Sequence, residues 1–105
     1  MNKPYDLEKR TFLFAKEVRV FIKSLNNTIA NIEDAKQVVR SSGSIGANYI
    51  EANESFSQKD FIYGIKISRK EDKESMYWLK IINETNEFSN RDLIEKLIKD
   101  ATELK

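Results

Sequence analysis

The segment Ser41-Ser42-Gly43-Ser44-Ile45-Gly46-Ala47 decides the fold, because its composition favours a loop while its surroundings favour a helix. Each glycine destabilises a helix by about 1 kcal/mol relative to alanine. The apolar pattern nevertheless keeps one helical phase on both sides of the glycines, through Ala35, Val38, Ser42, Ile45, Tyr49, Ala52 and Phe56. A loop of arbitrary length would not preserve that phase. We therefore predict one continuous helix from Asn31 to about Asn53, whose small side chains let a neighbouring helix approach closely.

A phosphate-binding glycine loop is the alternative interpretation of this segment. Such a loop is followed by Lys-Ser or Lys-Thr, because the lysine and the hydroxyl group serve the phosphates and their metal ion. Here the second glycine is followed by Ala47-Asn48. The helix is therefore the favoured interpretation.

Three further helices are predicted from apolar residues spaced three and four apart. The first begins after Asp6, which can cap free backbone N–H groups, and ends near Ser24. The third begins with the capping sequence Ser57-Gln58-Lys59-Asp60 and ends near Thr85. A similar sequence, Ser89-Asn90-Arg91-Asp92, begins a short fourth helix.

Each of these helices has an apolar side that would face the others. In the first helix it comprises Leu7, Thr11, Phe14, Val18, Phe21 and Leu25. In the third it comprises Phe61, Ile65, Ser68, Asp72, Ser75, Leu79 and Ile82, and in the fourth Leu93, Leu97, Ala101 and Leu104. We therefore predict an all-α fold, an antiparallel up-down-up-down four-helix bundle with a short last helix, formed by a single domain over residues 1–105.

The composition of the 105 residues excludes many function classes. The chain has no cysteine and no histidine, so we expect no enzyme, no metal and no cofactor. Its 18 Lys+Arg and 17 Asp+Glu give a net charge of +1, so any nucleic-acid site must be a local patch. Met1–Leu7 lacks the features of a signal peptide, and no apolar run reaches the roughly 20 residues that span a membrane. We therefore expect a cytoplasmic protein with no membrane partner.

Three parts of the sequence resemble a known family. They are Tyr5-Asp6-Leu7-Glu8-Lys9-Arg10-Thr11 in the first helix, Arg40 to Ala52 with Ser44-Ile45-Gly46-Ala47-Asn48-Tyr49 in the second, and Lys59-Asp60-Phe61-Ile62, Lys70-Glu71 and Tyr77-Trp78-Leu79 in the third. Together they resemble the bacterial four helix bundle protein family, named after open reading frames in intervening sequences of 23S ribosomal RNA genes. The resemblance covers nearly the whole chain.

The resemblance implies a four-helix bundle that assembles as a ring-like homo-pentamer. It also implies kinship with the accessory variability determinant of diversity-generating retroelements, a basic pentamer that binds nucleic acid and a reverse transcriptase. It indicates the fold more firmly than the function, and it names no protein partner for this chain.

A basic row on the third helix is the most suggestive surface in the sequence. It lies opposite the apolar side and comprises Lys59, Tyr63, Lys66, Lys70, Lys73, Tyr77 and Lys80, which we call the lysine–tyrosine ridge. At about 100° per residue, these residues fall within an arc of roughly 100°. Lysines can neutralise phosphates and tyrosine rings can stack on unpaired bases, a combination typical of sites for single-stranded RNA or DNA. The alternative is an ordinary solvated helix face, and Glu74 and Glu84 beside the ridge would weaken its field.

A second row on the third helix mixes large apolar groups with carboxylates. It comprises Ile67, Glu71, Glu74, Trp78 and Ile81, which we call the Trp78 stripe. An isolated bundle has no reason to place a tryptophan away from its core, so we predict a subunit interface at this stripe. The alternative is that Trp78 lies at the edge of the core.

Acidic residues on the second and third helices do not predict a metal site. Ferritin-like bundles use Glu-x-x-His pairs, and this chain has no histidine. Asp72 lies in the core register, where an unpaired carboxylate would be costly, so we expect it to pair with Arg40, Arg69 or the Tyr49 hydroxyl. Asn48-Tyr49 could line a pocket, but the place of Tyr49 in the apolar phase favours core packing.

These observations predict a non-enzymatic, oligomeric four-helix-bundle protein that serves as an interaction or RNA/DNA-binding accessory. In this hypothesis the five lysines of the ridge contact phosphates and its two tyrosines stack on bases. The alternative function is that of a protein-interaction scaffold that does not bind nucleic acid.

Overall fold

The structure, a computed structural model, describes residues 4–104, so part of the Met1–Leu7 stretch lies outside the described residues. Its helices are α1 (Pro4–Ile22), α2 (Ile29–Asn53), α3 (Gln58–Thr85) and α4 (Asp92–Glu103). Each helix packs against the next one along the chain, and α4 packs back against α1. No strand occurs between residues 4 and 104. The predicted all-α four-helix bundle is therefore confirmed.

Helix α2 is continuous through the glycine segment, as the apolar phase predicts. It begins at Ile29, slightly before the predicted start, because the Thr28 side chain caps it by accepting a hydrogen bond from the Asn31 amide at 3.1 Å. A methyl group added at Gly46 would lie 2.8 Å from the Thr11 hydroxyl oxygen of α1. The glycine therefore lets α1 and α2 approach closely, which is the reason that the sequence tolerates it inside a helix.

Two further helix starts, those of α1 and α4, differ from the sequence prediction. Helix α1 begins at Pro4 rather than after Asp6, because proline has no backbone N–H to satisfy and suits the first helical turn. Helix α4 begins at Asp92 rather than directly after Ser89. The predicted Ser89 cap is wrong, because the Asn90 side chain accepts the hydrogen bond from the Asp92 amide at 2.8 Å.

The core contains apolar side chains from all four helices: Phe14, Val18, Phe21, Val38, Ile45, Leu79, Ile82, Ile94, Leu97 and Ala101. Three residues of the predicted apolar sides are exposed instead: Phe56, Phe61 and Leu93, the last being 36 % exposed in the first turn of α4. Phe56 is fully exposed because α2 ends at Asn53, before reaching it. Phe61 is 39 % exposed. Near its end, α4 reaches only as far as Met76 of α3, where the Thr102 hydroxyl lies 3.8 Å from the sulfur, so it leaves the first turns of α3 uncovered.

No helix within the described range has both the length and the apolar character needed to cross a bilayer.

Candidate nucleic-acid interface

The lysine–tyrosine ridge lies on the side of α3 that faces away from the core. All seven of its side chains are exposed, whereas Ser75, Leu79 and Ile82 on the opposite side of the helix are buried. Helix α3 is 28 residues long. With a rise of about 1.5 Å per residue, the ridge extends over about 32 Å. The seven side chains therefore share one long exposed surface.

The ridge lysines form no close ion pairs with carboxylates in the described part of the chain. Within residues 4–104, ion pairs at 4.0 Å or less involve Lys36, Arg40 and Lys96, and none of them involves a ridge lysine. The five ammonium groups are therefore available to an anion from solution.

Arg69 adds a sixth cation that the sequence prediction of the ridge omitted. Its side chain lines a shallow hollow of about 570 Å³ together with Lys66, Lys70 and Lys73. The available signal was its spacing, three residues after Lys66 and four before Lys73. A guanidinium group can bind a phosphate through two parallel hydrogen bonds, which an ammonium group cannot do.

Two acidic residues beside the ridge are paired with a cation of α2. The Arg40 guanidinium donates a hydrogen bond to the Glu71 carboxylate at 3.2 Å and another to Glu74. The hydrogen bond with Glu74 raises the pKa of Arg40 above its ordinary value. Glu74, which by sequence would weaken the field of the ridge, is therefore balanced by a positive charge, while Glu84 stays exposed at the far end.

The Trp78 stripe runs along the side of α3 that lies next to α2. Glu71 and Glu74 contact Arg40, and the half-buried Trp78 packs against the core. Ile67 and Ile81 are half-buried as well. A place at the edge of the core therefore accounts for Trp78 without a second subunit, and the interface at this stripe stays a prediction.

The middle of the bundle is polar. The hydroxyl oxygens of Ser41 and Ser75 lie 2.8 Å apart, and Ser68 donates a hydrogen bond to a backbone carbonyl of α2 at 2.8 Å. Asp72 is 1 % exposed and Tyr49 is 6 % exposed. Arg40, one of the three partners predicted for Asp72, pairs with Glu71 and Glu74. Tyr49 is a core residue, as its place in the apolar phase indicates.

Acidic side chains do not gather into a metal site in the described part of the chain, where no group of three or more potential ligands is placed to hold an ion.

A second open surface, which the sequence did not predict, lies between α1 and α2. It is a groove of about 640 Å³ with Gly43 and Gly46 among its lining residues. Phe12 and Ile50 also line it and are 68 % and 45 % exposed. The only sequence signal was that Phe12 lies beside the main apolar phase of α1. Open apolar surface of this kind is typical of protein contacts.

Known proteins similar to this chain place it in a family. Residues 3–105 match the family described as 23S rRNA-intervening sequence protein. A solved structure from Bacteroides thetaiotaomicron, described as a protein of unknown function from the S23 ribosomal protein family, is 33 % identical and has a TM-score of 0.83. The match covers 98 % of this chain and 91 % of that chain. No curated protein matches. The resemblance seen in the sequence is therefore confirmed, and the chain belongs to the 23S rRNA-intervening sequence protein family.

Proposed function

We propose that this protein is a non-enzymatic, cytoplasmic accessory that binds RNA or DNA through the lysine–tyrosine ridge. The observation that carries the proposal is the contrast in ion pairing on α3. Glu71 and Glu74 beside the ridge are paired with Arg40, whereas no ridge lysine has a carboxylate within 4.0 Å in the described range. A local positive field therefore forms on a molecule whose net charge is only +1.

The chemistry of the ridge fits a phosphate backbone. Ammonium groups along about 32 Å can each neutralise a phosphate, and Arg69 can bind one through two hydrogen bonds. Binding through phosphates releases counterions, so affinity falls steeply as salt rises. The family description refers to 23S rRNA, so an RNA oligonucleotide is the first probe to use.

A mobility or filter-binding assay at two salt concentrations tests this function. The variant changes Lys66, Lys70 and Lys73 to Glu, which reverses three charges at the centre of the ridge. The control changes Lys9, Lys16 and Lys23 to Glu, which alters the net charge equally, outside α3. These three lysines are exposed as well. We expect the wild type and the control to bind RNA with strong salt dependence, and the ridge variant to lose binding.

Two results would overturn the proposal. If the ridge variant binds like the wild type, the ridge is an ordinary solvated face, and a protein-interaction scaffold becomes the better description. If the two triple variants lose binding equally, only the net charge matters and the ridge is not a site.

We also propose that the chain forms a homo-oligomer, as the family resemblance implies. An assembly would set several ridges side by side, and linked sites bind one long strand more tightly than separate ones do.

A further inference from the structure

Tyr77 of the ridge is held in place by an aromatic neighbour. Its ring centroid lies 5.1 Å from that of Trp78, and the two rings meet edge-on at 76°. Trp78 is itself fixed, because its indole N–H donates a hydrogen bond to Glu74 at 3.4 Å and its ring packs against the core. Glu74 is held in turn by Arg40 of α2.

Tyr63 differs from Tyr77 in this respect. It is exposed to a similar extent, 66 % against 58 %, and has no ring neighbour among the side chains described for residues 6–104. The two tyrosines therefore share a helix and a surface but differ in support, which makes Tyr63 a natural comparison.

We infer that Tyr77 is a pre-oriented platform on which an unpaired base stacks, so the ligand of the ridge is a single strand rather than a duplex. This inference rests on the proposed function and specifies its ligand. A ring that is already held loses little freedom on binding, so the stacking energy is not spent on ordering the side chain. The bases of a duplex are stacked on one another and do not offer a free face to such a ring.

The surroundings of Tyr77 suit the phosphates beside a stacked base. Lys73 and Lys80 lie four residues before it and three after it, about 6 Å and 4.5 Å away along the helix axis. Both are exposed, and neither forms an ion pair within the described range. One ring between two free ammonium groups therefore matches one base between its two phosphates.

Trp78 offers a direct readout of events at Tyr77. It is the only tryptophan of the chain, and its ring contacts that of Tyr77. A base placed on Tyr77 changes the surroundings of this indole, so its fluorescence should respond to a single strand and not to a duplex of the same length.

The experiment compares Tyr77→Leu, Tyr77→Phe and Tyr63→Leu with the wild type, using an RNA oligonucleotide alone and annealed to its complement. We expect Tyr77→Leu to weaken single-strand binding by about five- to hundredfold, the usual range for losing one stacked base. Tyr77→Phe keeps the ring and should restore the affinity and the fluorescence change. Tyr63→Leu should weaken single-strand binding less than Tyr77→Leu does. Duplex binding should be the same for all four proteins.

Three outcomes would overturn the inference. The first is that Tyr77→Leu binds the single strand like the wild type. The second is that Tyr63→Leu and Tyr77→Leu lose equal affinity, which would remove the role of Trp78. The third is that the duplex produces the same fluorescence change as the single strand. Salt-dependent binding in these cases would leave the proposed function standing, whereas absence of binding to both probes would overturn the function as well.

Discussion

Gly43, Gly46 and Gly64 each lie within a helix, and no described glycine has a positive φ. None of them is therefore needed for an unusual backbone conformation, and Gly46 and Gly64 instead allow close helix approach. A methyl group at Gly64 would lie 2.8 Å from the Cβ and 3.2 Å from the Cα of Ala52, so α2 and α3 would have to separate. At Gly43 the nearest group is the end of the flexible Arg19 side chain, at 3.2 Å.

Substitution of these glycines should therefore have opposite effects. We expect Gly64→Ala to lower the free energy of unfolding by about 1–2 kcal/mol, because overpacking costs more than the roughly 1 kcal/mol of helix propensity gained. Gly43→Ala should leave stability unchanged or raise it by up to about 1 kcal/mol, because only the end of the Arg19 side chain, which donates to the Val39 carbonyl at 3.1 Å, has to shift by a few tenths of an ångström. Urea denaturation measures both, and equal changes would show that the space beside each glycine does not decide the effect.

Arg40 is expected to support RNA binding by the ridge, although it lies on α2. Replacing it with Gln leaves Glu71 and Glu74 without their cation beside the ridge, so RNA affinity should fall severalfold at low salt. Lys9→Gln removes the same charge from an exposed position on α1 that has no ion pair in the described range, and it should change affinity little. Fluorescence anisotropy with one RNA oligonucleotide measures both, and an equal loss would contradict a local role for Arg40.

Those features of the helices that depend on the spacing of nearby residues were predictable from the sequence. The continuity of α2 and the Ser57 cap of α3 follow from residues within a few positions of each other. The exposure of Phe61 was not predictable in this way, because it depends on where α4 ends along α3. The partners of Arg40 were not predictable either, since Glu71 and Asp72 are adjacent in sequence and only the rotation of α3 against α2 selects Glu71.

An ion pair between α1 and α4 predicts a pH effect on stability. Lys96 donates hydrogen bonds to Asp100 at 2.8 Å and to Glu17 at 2.7 Å, which raise the pKa of Lys96 above its ordinary value of 10.5. Because the folded state holds this proton more tightly, the stabilisation is complete below the ordinary value and is lost as pH rises through the raised pKa. The groups are partly exposed, so the contribution is about 0.5–1 kcal/mol.

Lys96→Met should therefore lower the free energy of unfolding by about this amount near pH 8, and by progressively less above pH ~10.5. Lys99→Met is the matched control, because Lys99 is exposed on the same helix and forms no ion pair in the described range. Denaturation of the wild type and both variants across this pH range measures how much free energy of unfolding each substitution removes. A loss for Lys96→Met that does not change with pH would contradict the role of the ion pair.

The surface of the molecule has two chemically different sides. The ridge on α3 presents lysines that form no ion pair with the described residues, whereas the groove between α1 and α2 presents Phe12 and Ile50. Because the net charge is only +1, neither side is dominated by a field from the rest of the molecule. A nucleic acid on the ridge and a protein contact at the groove could therefore occupy different sides of one bundle at the same time.

We predict that the protein self-associates through the Trp78 stripe. We expect the mass in solution to be a multiple of 12.3 kDa, fivefold for the pentamer that the resemblance implies. Ile67→Lys should reduce it, because an ammonium group buried at an apolar contact is costly. Ile67 is a better site than Trp78, since Trp78 packs against the core and its loss would also affect folding.

Phe12→Lys is the comparison, because it places the same charge on the groove between α1 and α2, where Phe12 is 68 % exposed. Multi-angle light scattering of the wild type, Ile67→Lys and Phe12→Lys shows which surface forms the subunit interface. If Phe12→Lys dissociates the assembly and Ile67→Lys does not, the subunits meet at the groove, and the stripe serves only to join α3 to α2. A wild-type mass of 12.3 kDa would contradict self-association altogether, and each ridge would then bind its strand alone.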